Sequence, residues 1–168
     1  MNELVVISGK GGTGKTSLVA SCAVLAENAV LADCDVDAAD LHLVLAPTVR
    51  ERHEFWSGHE AVVNEEDCID CGICVEPCRF DAVSQVRTEA GKSTYRIDPV
   101  ACEGCGVCVR VCPVDAIDFP ERLCGHWMVS DTRAGPMVHA RLGITAETSG
   151  KMATTVTQAA RKLPERQR

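Results

Sequence analysis

The sequence has 168 residues, 46% hydrophobic and only 4% aromatic, so it can fill one ordinary domain or two small ones but no large aromatic-rich core. A formal net charge of −7 opposes binding to nucleic acid or to an anionic membrane surface, both of which need clustered Lys and Arg. No apolar run approaches the roughly 20 residues of a transmembrane segment, and no secretory signal is visible, so a cytoplasmic location is expected. In that reducing setting eleven cysteines read as metal ligands rather than as a disulfide framework.

In chain order, the apolar run Leu4-Val5-Val6-Ile7 predicts a strand buried on both faces. A glycine cluster and a helix from about Gly14 to Glu27 follow, and Val30-Leu31-Ala32 predicts a second buried strand ending in Asp33-Cys34-Asp35. Strand, loop, helix and strand spell a βαβ unit. Around residues 50–66 the composition turns to Arg, His, Glu and Asp, and from there to about Phe119 cysteine and glycine interleave with apolar residues. The division expected is 1–57, an inserted module at 58–121, and a return to the first fold over 122–168. Within the return, His126–Val129 and Met137–Ala140 predict short strands about a Gly135-Pro136 turn. Thr148 or Ser149 then begins a helix with Met152, Val156, Ala159 and Leu163 on one stripe and a basic end at Arg161, Lys162, Arg166 and Arg168.

Residues 68–83 and 102–117 repeat one pattern at an offset of 34 residues: Cys-x2-Cys-x2-Cys-x3-Cys, then Asp-Ala-Val or Asp-Ala-Ile. Two-residue spacers fold as tight turns that wrap three thiolates around one face of an iron–sulfur cubane, with Gly72, Gly104 and Gly106 at sterically permissive positions. In two-cluster ferredoxins the fourth cysteine of each run ligates the other cluster. That assigns one [4Fe-4S] cluster to Cys68, Cys71, Cys74 and Cys112, and the second to Cys102, Cys105, Cys108 and Cys78. Zinc sites usually set two cysteine pairs apart and fit this spacing poorly. The second run ends in the usual Cys112-Pro113, whereas the first ends Cys78-Arg79. Cys22, Cys34 and Cys124 fall outside the pattern and are expected to be small buried hydrophobes. The five histidines, His42, His53, His59, His126 and His139, show no paired metal spacing and are assigned to no site.

Gly9-Lys10-Gly11-Gly12-Thr13-Gly14-Lys15-Thr16 satisfies G-x-x-x-x-G-K-[ST], followed by Ser17. Its backbone N–H groups and the helix N-terminus can cradle phosphates, with Lys15 reaching the β- and γ-phosphates and Thr16 coordinating Mg²⁺, so MgATP is the expected ligand. Here the chain resembles the MinD/ParA-type P-loop ATPases, whose deviant motif K-G-G-x-G-K-T is matched by Lys10 to Thr16. The resemblance implies a parallel α/β sheet and an ATP-sandwiched homodimer in which Lys10 contacts the nucleotide of the opposite subunit. It also likens Asp33-Cys34-Asp35 to switch I, with Asp35 orienting the attacking water or a Mg²⁺-bound water. The closer resemblance is to members with an inserted ferredoxin domain, because both motif sets occur in that order and are followed by Ser130-Asp131-Thr132-Arg133 and Gly135–Ala140. Those members continue into a Walker B-like switch II and base-recognition elements that have no counterpart here. Hydrolysis is therefore expected to be impaired or to need a partner chain supplying that half.

The expected function is an ATP-binding iron–sulfur protein coupling nucleotide state to electron or cluster transfer, toward a redox partner or an apo iron–sulfur acceptor. The alternatives are a ferredoxin-type electron-transfer module with a vestigial P-loop and a cluster-assembly carrier.

Overall fold

The computed structural model describes residues 3–26, 29–37, 39–143 and 148–163. Along it run α1 (Lys15–Leu25), β1 (Leu31–Ala32), α2 (Leu41–Leu45), β2 (Thr48–His59), β3 (Val62–Val63), β4 (Val83–Arg87), β5 (Ser93–Ile97), α3 (Val107–Val111), β6 (Ile117–Asp118), β7 (Glu121–Thr132), β8 (Gly135–Leu142) and α4 (Ser149–Lys162). The chain divides into two units, Met1–Phe55 with Cys124–Arg168, and Trp56–Leu123.

The first unit is built on a sheet of order β1-β8-β7-β2, in which β1 pairs β8 in parallel and β8 pairs β7 antiparallel. The sheet is thus mixed, where the βαβ pattern led us to expect parallel pairing. Successive residues of β8 point to opposite faces, and each face has its own core. Val138 and Ala140 pack with Val129, Val36 and the α4 residues Met152, Val156 and Ala160. Met137 packs on the other side with Leu31, Leu41, Leu45 and the α1 residues Ala20 and Ala23. Met137, Val138, Met152 and Val156 are fully buried, each worth about 1.5–3 kcal/mol of hydrophobic stabilisation. The stripe expected on α4 holds: Met152 and Val156 are buried, Ala159 and Leu163 pack half-buried against the same core, and Ala160 joins them; Arg166 and Arg168 lie outside the described residues.

Two expectations are corrected. Leu4, Val5 and Ile7 form no strand and are 76%, 68% and 86% exposed. A strand buried on both faces needs a neighbour with a matching edge, and two-residue β1 offers too few hydrogen bonds to hold one. The first 35 residues are therefore loop, helix and strand rather than βαβ. The β7–β8 turn falls at Arg133-Ala134, ahead of Gly135-Pro136, because the Thr132 hydroxyl both donates to the Gly135 carbonyl (2.7 Å) and accepts from the Ala134 amide (3.1 Å). Charged residues 50–54, where the composition turns, lie in β2, an edge strand whose exposed side chains leave no apolar alternation to detect.

The second unit carries the cysteine repeat as an approximate two-fold. β3 precedes the first run and pairs with β6 after the second run, Val63 opposite Ile117. β5 precedes the second run and pairs with β4 after the first, Ile97 opposite Val83. Subtracting 34 from 97 gives 63, and adding it to 83 gives 117, so the two ladders are one arrangement used twice. The loops agree: Asn64 N–H bonds Ala116 O at 2.8 Å as Asp98 N–H bonds Ala82 O at 2.8 Å. Likewise the Asn64 side chain accepts from Glu66 N–H (3.1 Å) as Asp98 accepts from Val100 N–H (2.8 Å). Their shared core is Ala61, Cys74, Ala82, Val83, Ile97 and Ile117.

Candidate iron–sulfur centre and glycine loop

Each cysteine run folds as tight turns, and the second continues into one turn of helix, α3, which holds Cys108. Gly104 sits at φ +62°, and a Cβ there would collide with the His59 carbonyl oxygen. Only glycine therefore lets the turn between Cys102 and Cys105 lie against that backbone. All eight repeat cysteines are free thiols; Cys71 and Cys105 are exposed, Cys74 is buried, and the rest are half-buried.

Cys68, Cys71 and Cys74 of the first run and Cys112 of the second line one cavity with Val63, Ile69, Ile73, Tyr95, Val114 and Ile117. Four thiolates are the number a four-iron body takes as ligands. Cys78, Cys102, Cys108 and Cys112 pack partly buried on the same core with Phe119. Burial pushes the Cys74 and Cys108 thiols up, helped by neighbouring cysteines: Cys71, Cys108 and Cys68 around Cys74, and Cys102 and Cys105 around Cys108. Cys68 differs. Burial would raise it, but the Thr94 hydroxyl, the Asp70 and Tyr95 amides and the Lys92 charge together hold it below the usual thiol range. Cys112 Sγ accepts from the Ala116 amide at 3.3 Å. The residues present fit iron–sulfur clusters: soft donors in the right number, an apolar surround, and N–H groups aimed at sulfur.

A family model described as a 4Fe-4S dicluster domain matches residues 61–119, a span that holds all eight repeat cysteines. Residues 61–119 are a 4Fe-4S dicluster domain. A second model of the same description matches 94–162; it overlaps the first over 94–119, so it takes in only the second run of the dicluster domain before entering β7, β8 and α4. An uncharacterized protein of Methanocaldococcus jannaschii is 36% identical over 104 residues, 60% of this chain and 34% of the relative. The chain thus spans about a third of the length of the curated relative it matches.

In the first unit, Ser8, Gly9, Lys10, Gly11, Gly12, Thr13, Lys15 and Thr16 line an open, polar cavity of about 270 Å³. Gly14, at φ +85°, turns the loop into α1, and its carbonyl accepts the Leu18 amide at 2.9 Å. Ser17 lies on α1 outside the cavity lining. The Lys10 carbonyl accepts the Ser8 (3.2 Å) and Thr13 (3.4 Å) hydroxyls, which curl the loop around it. The Lys15 ammonium pairs with the Asp35 carboxylate, so these two predicted residues meet. Asp33 is buried; its Oδ1 accepts the Asp35 amide at 3.2 Å and its Oδ2 has no partner among the described residues. Burial, outweighing backbone hydrogen bonds from Asp35 and Leu41, raises its carboxyl above the ordinary value.

Among the remaining cysteines, Cys124 is buried and Cys22 half-buried, but Cys34 is exposed, its Sγ 3.3 Å from the Thr157 hydroxyl, correcting the expectation that it is buried. Thr94, Tyr95 and Arg122, which contact the cysteine turns, escaped the sequence reading, which followed ligand types alone. Tyr95 shares the cavity, and Arg122 donates to the carbonyls of Cys102 (3.4 Å) and Pro99 (3.0 Å).

Proposed function

We propose that the chain is an electron carrier whose dicluster domain holds two [4Fe-4S] clusters, with Cys68, Cys71, Cys74 and Cys112 as ligands of one and Cys102, Cys105, Cys108 and Cys78 of the other. The observation that carries this reading is the single cavity lined by three thiols of one run and the last thiol of the other. Each cluster, when bound, takes up and releases single electrons. The chain's own residues exclude water from the cavity through Val63, Ile73, Tyr95 and Ile117, and direct amides toward sulfur at Cys68 and Cys112. Exposed Cys71 and Cys105 bring each set of ligands to the surface, where a redox partner or an apo acceptor meets it.

The polar cavity lined by the glycine loop and Lys15 supports a second element of the reading, a site for the phosphates of MgATP whose occupancy is coupled to the clusters, as the resemblance to the MinD/ParA-type ATPases implies; a docking role for a vestigial loop is the competing view. Anaerobic reconstitution followed by iron and sulfide analysis tests the first element, and content below two cubanes per chain would remove it. Calorimetric titration with MgATP beside Lys15→Ala tests the second: saturable binding lost in the variant supports a nucleotide site, and no heat in the wild type leaves the electron carrier alone.

A further inference from the structure

Two cations grip the dicluster domain at equivalent places without being equivalent residues. Each cysteine run is entered through a turn, residues 64–68 before the first and 98–102 before the second. In each, the amide of the leading cysteine closes back on the carbonyl four residues earlier, Cys68 on Asn64 (3.1 Å) and Cys102 on Asp98 (2.9 Å). That bond uses one carbonyl and leaves the next ones in need of donors, as at the end of a helix. Lys92 supplies them in the first turn, its Nζ donating to the carbonyls of Glu65 (2.8 Å) and Glu66 (3.0 Å). Arg122 supplies them in the second, donating to the carbonyls of Pro99 (3.0 Å) and of Cys102 itself (3.4 Å). Glu65 and Pro99 are 34 residues apart, so the same carbonyl of the repeat is held in both halves.

The residues that hold it do not repeat. The position 34 after Lys92 is His126, and the position 34 before Arg122 is Thr88. Lys92 comes from the connection between β4 and β5, whereas Arg122 comes from β7. The Arg122 side chain is only 15% exposed, and its Nε lies 3.7 Å from the Glu60 carboxylate. A planar guanidinium fork can meet two carbonyls and a carboxylate at once. The repeat therefore does not account for these contacts; what the halves share is the grip, reached from different elements.

We propose that Lys92 and Arg122 are positioning residues, one for each cluster: Lys92 fixes the turn that presents Cys68, and Arg122 the turn that presents Cys102. Neither is a ligand. Each also sets a positive charge at the entry of its own run, which favours the more electron-rich, reduced cluster. The inference rests on the two-cluster reading, and the order of measurement separates the two.

The test uses the whole chain, reconstituted anaerobically as wild type, Lys92→Met, Arg122→Met and Arg122→Lys. Iron and sulfide analysis comes first; a wild type without two cubanes fails the two-cluster reading, and the inference with it. With both clusters present, a ferrous chelator should draw one cluster's iron from Arg122→Met about tenfold faster than from the wild type, with the other cluster's iron unaffected and Arg122→Lys slow again. Film voltammetry should show one of two waves moved to more negative potential in Arg122→Met, and the other wave moved in Lys92→Met. An Arg122→Met chain that takes up a single cubane while Arg122→Lys takes up two supports the assignment equally. The same wave displaced by both variants, both waves displaced together, release and potentials unchanged, or Arg122→Lys behaving as Arg122→Met would each overturn it. If Arg122→Met loads neither cluster, Arg122→Gln is read by the same criteria.

Discussion

Lys15 and Asp35 neutralise each other beside the glycine loop, with side chains 30% and 36% exposed. A pair this open contributes no more than about 1 kcal/mol, so a phosphate that displaces Asp35 meets a penalty of about fivefold in affinity. Asp35→Asn should therefore tighten MgATP binding by up to about fivefold in a calorimetric titration, whereas weakened binding would place Asp35 among the groups that hold the magnesium. A second residue-scale effect concerns His139, buried with its Nε2 2.8 Å from the Ser130 hydroxyl. Burial first, and neighbouring His42 second, hold its pKa below the ordinary 6.5. Its neutral form is the stable one inside, so its contribution is complete above about pH 6.5 and is lost as the pH falls through the lower folded value. Thermal melting followed by tryptophan fluorescence should show a loss of stability below that pH which His139→Gln flattens; an unchanged slope in the variant would assign the loss to other groups. Asp33, raised by burial, acts in the opposite sense, its contribution complete below 3.8 and lost as pH rises through its folded value, which is why the variant difference is the readable quantity.

At the scale of elements, α4 is held by Met152 and Val156, both fully buried against the sheet. Met152→Ala should cost about 2–5 kcal/mol in denaturant unfolding, the range for truncating a large buried side chain. A loss under 1 kcal/mol would mean that α4 is not part of the cooperative unit. In the dicluster domain, Gly104→Ala forces a Cβ onto the His59 carbonyl at a positive φ and should reduce iron uptake at the second cysteine run; full iron content in the variant would show that the turn can move away. Legibility at this scale follows period and length. The α4 stripe and the repeated runs could be read because each pattern recurs within a few residues. β2 could not, since an exposed, charged edge strand has no apolar alternation, and the Leu4–Ile7 strand failed because apolar composition shows readiness to pair without showing a partner.

Across the whole molecule, charge is unevenly divided. Residues 56–123 hold thirteen Asp and Glu against six Lys and Arg, an excess of seven equal to that of the entire chain, so the remaining residues balance. The unit that holds the dicluster domain is thus the acidic one. Oxidation of the reduced clusters by a small cationic acceptor should outpace that by an anionic acceptor of similar potential at low ionic strength, and the two rates should converge as salt rises, because screening shortens the Debye length from about 30 Å at 0.01 M to about 8 Å at 0.15 M. Rates indifferent to salt in stopped-flow measurements would mean that the net charge does not reach the clusters.

The sequence alone determined the chemistry of the eight cysteines, because ligand type and short spacing are local properties that tight turns translate directly into geometry. It also determined the glycine loop, whose residues line one cavity as their order implied. The tertiary structure shows how Cys112, grouped in the sequence with Cys68, Cys71 and Cys74 by the crossover of two-cluster ferredoxins, comes to share their space: the β3–β6 and β4–β5 ladders pair residues far apart in the chain. It alone left the Leu4–Ile7 run unpaired, because strand pairing depends on neighbours that local sequence does not contain.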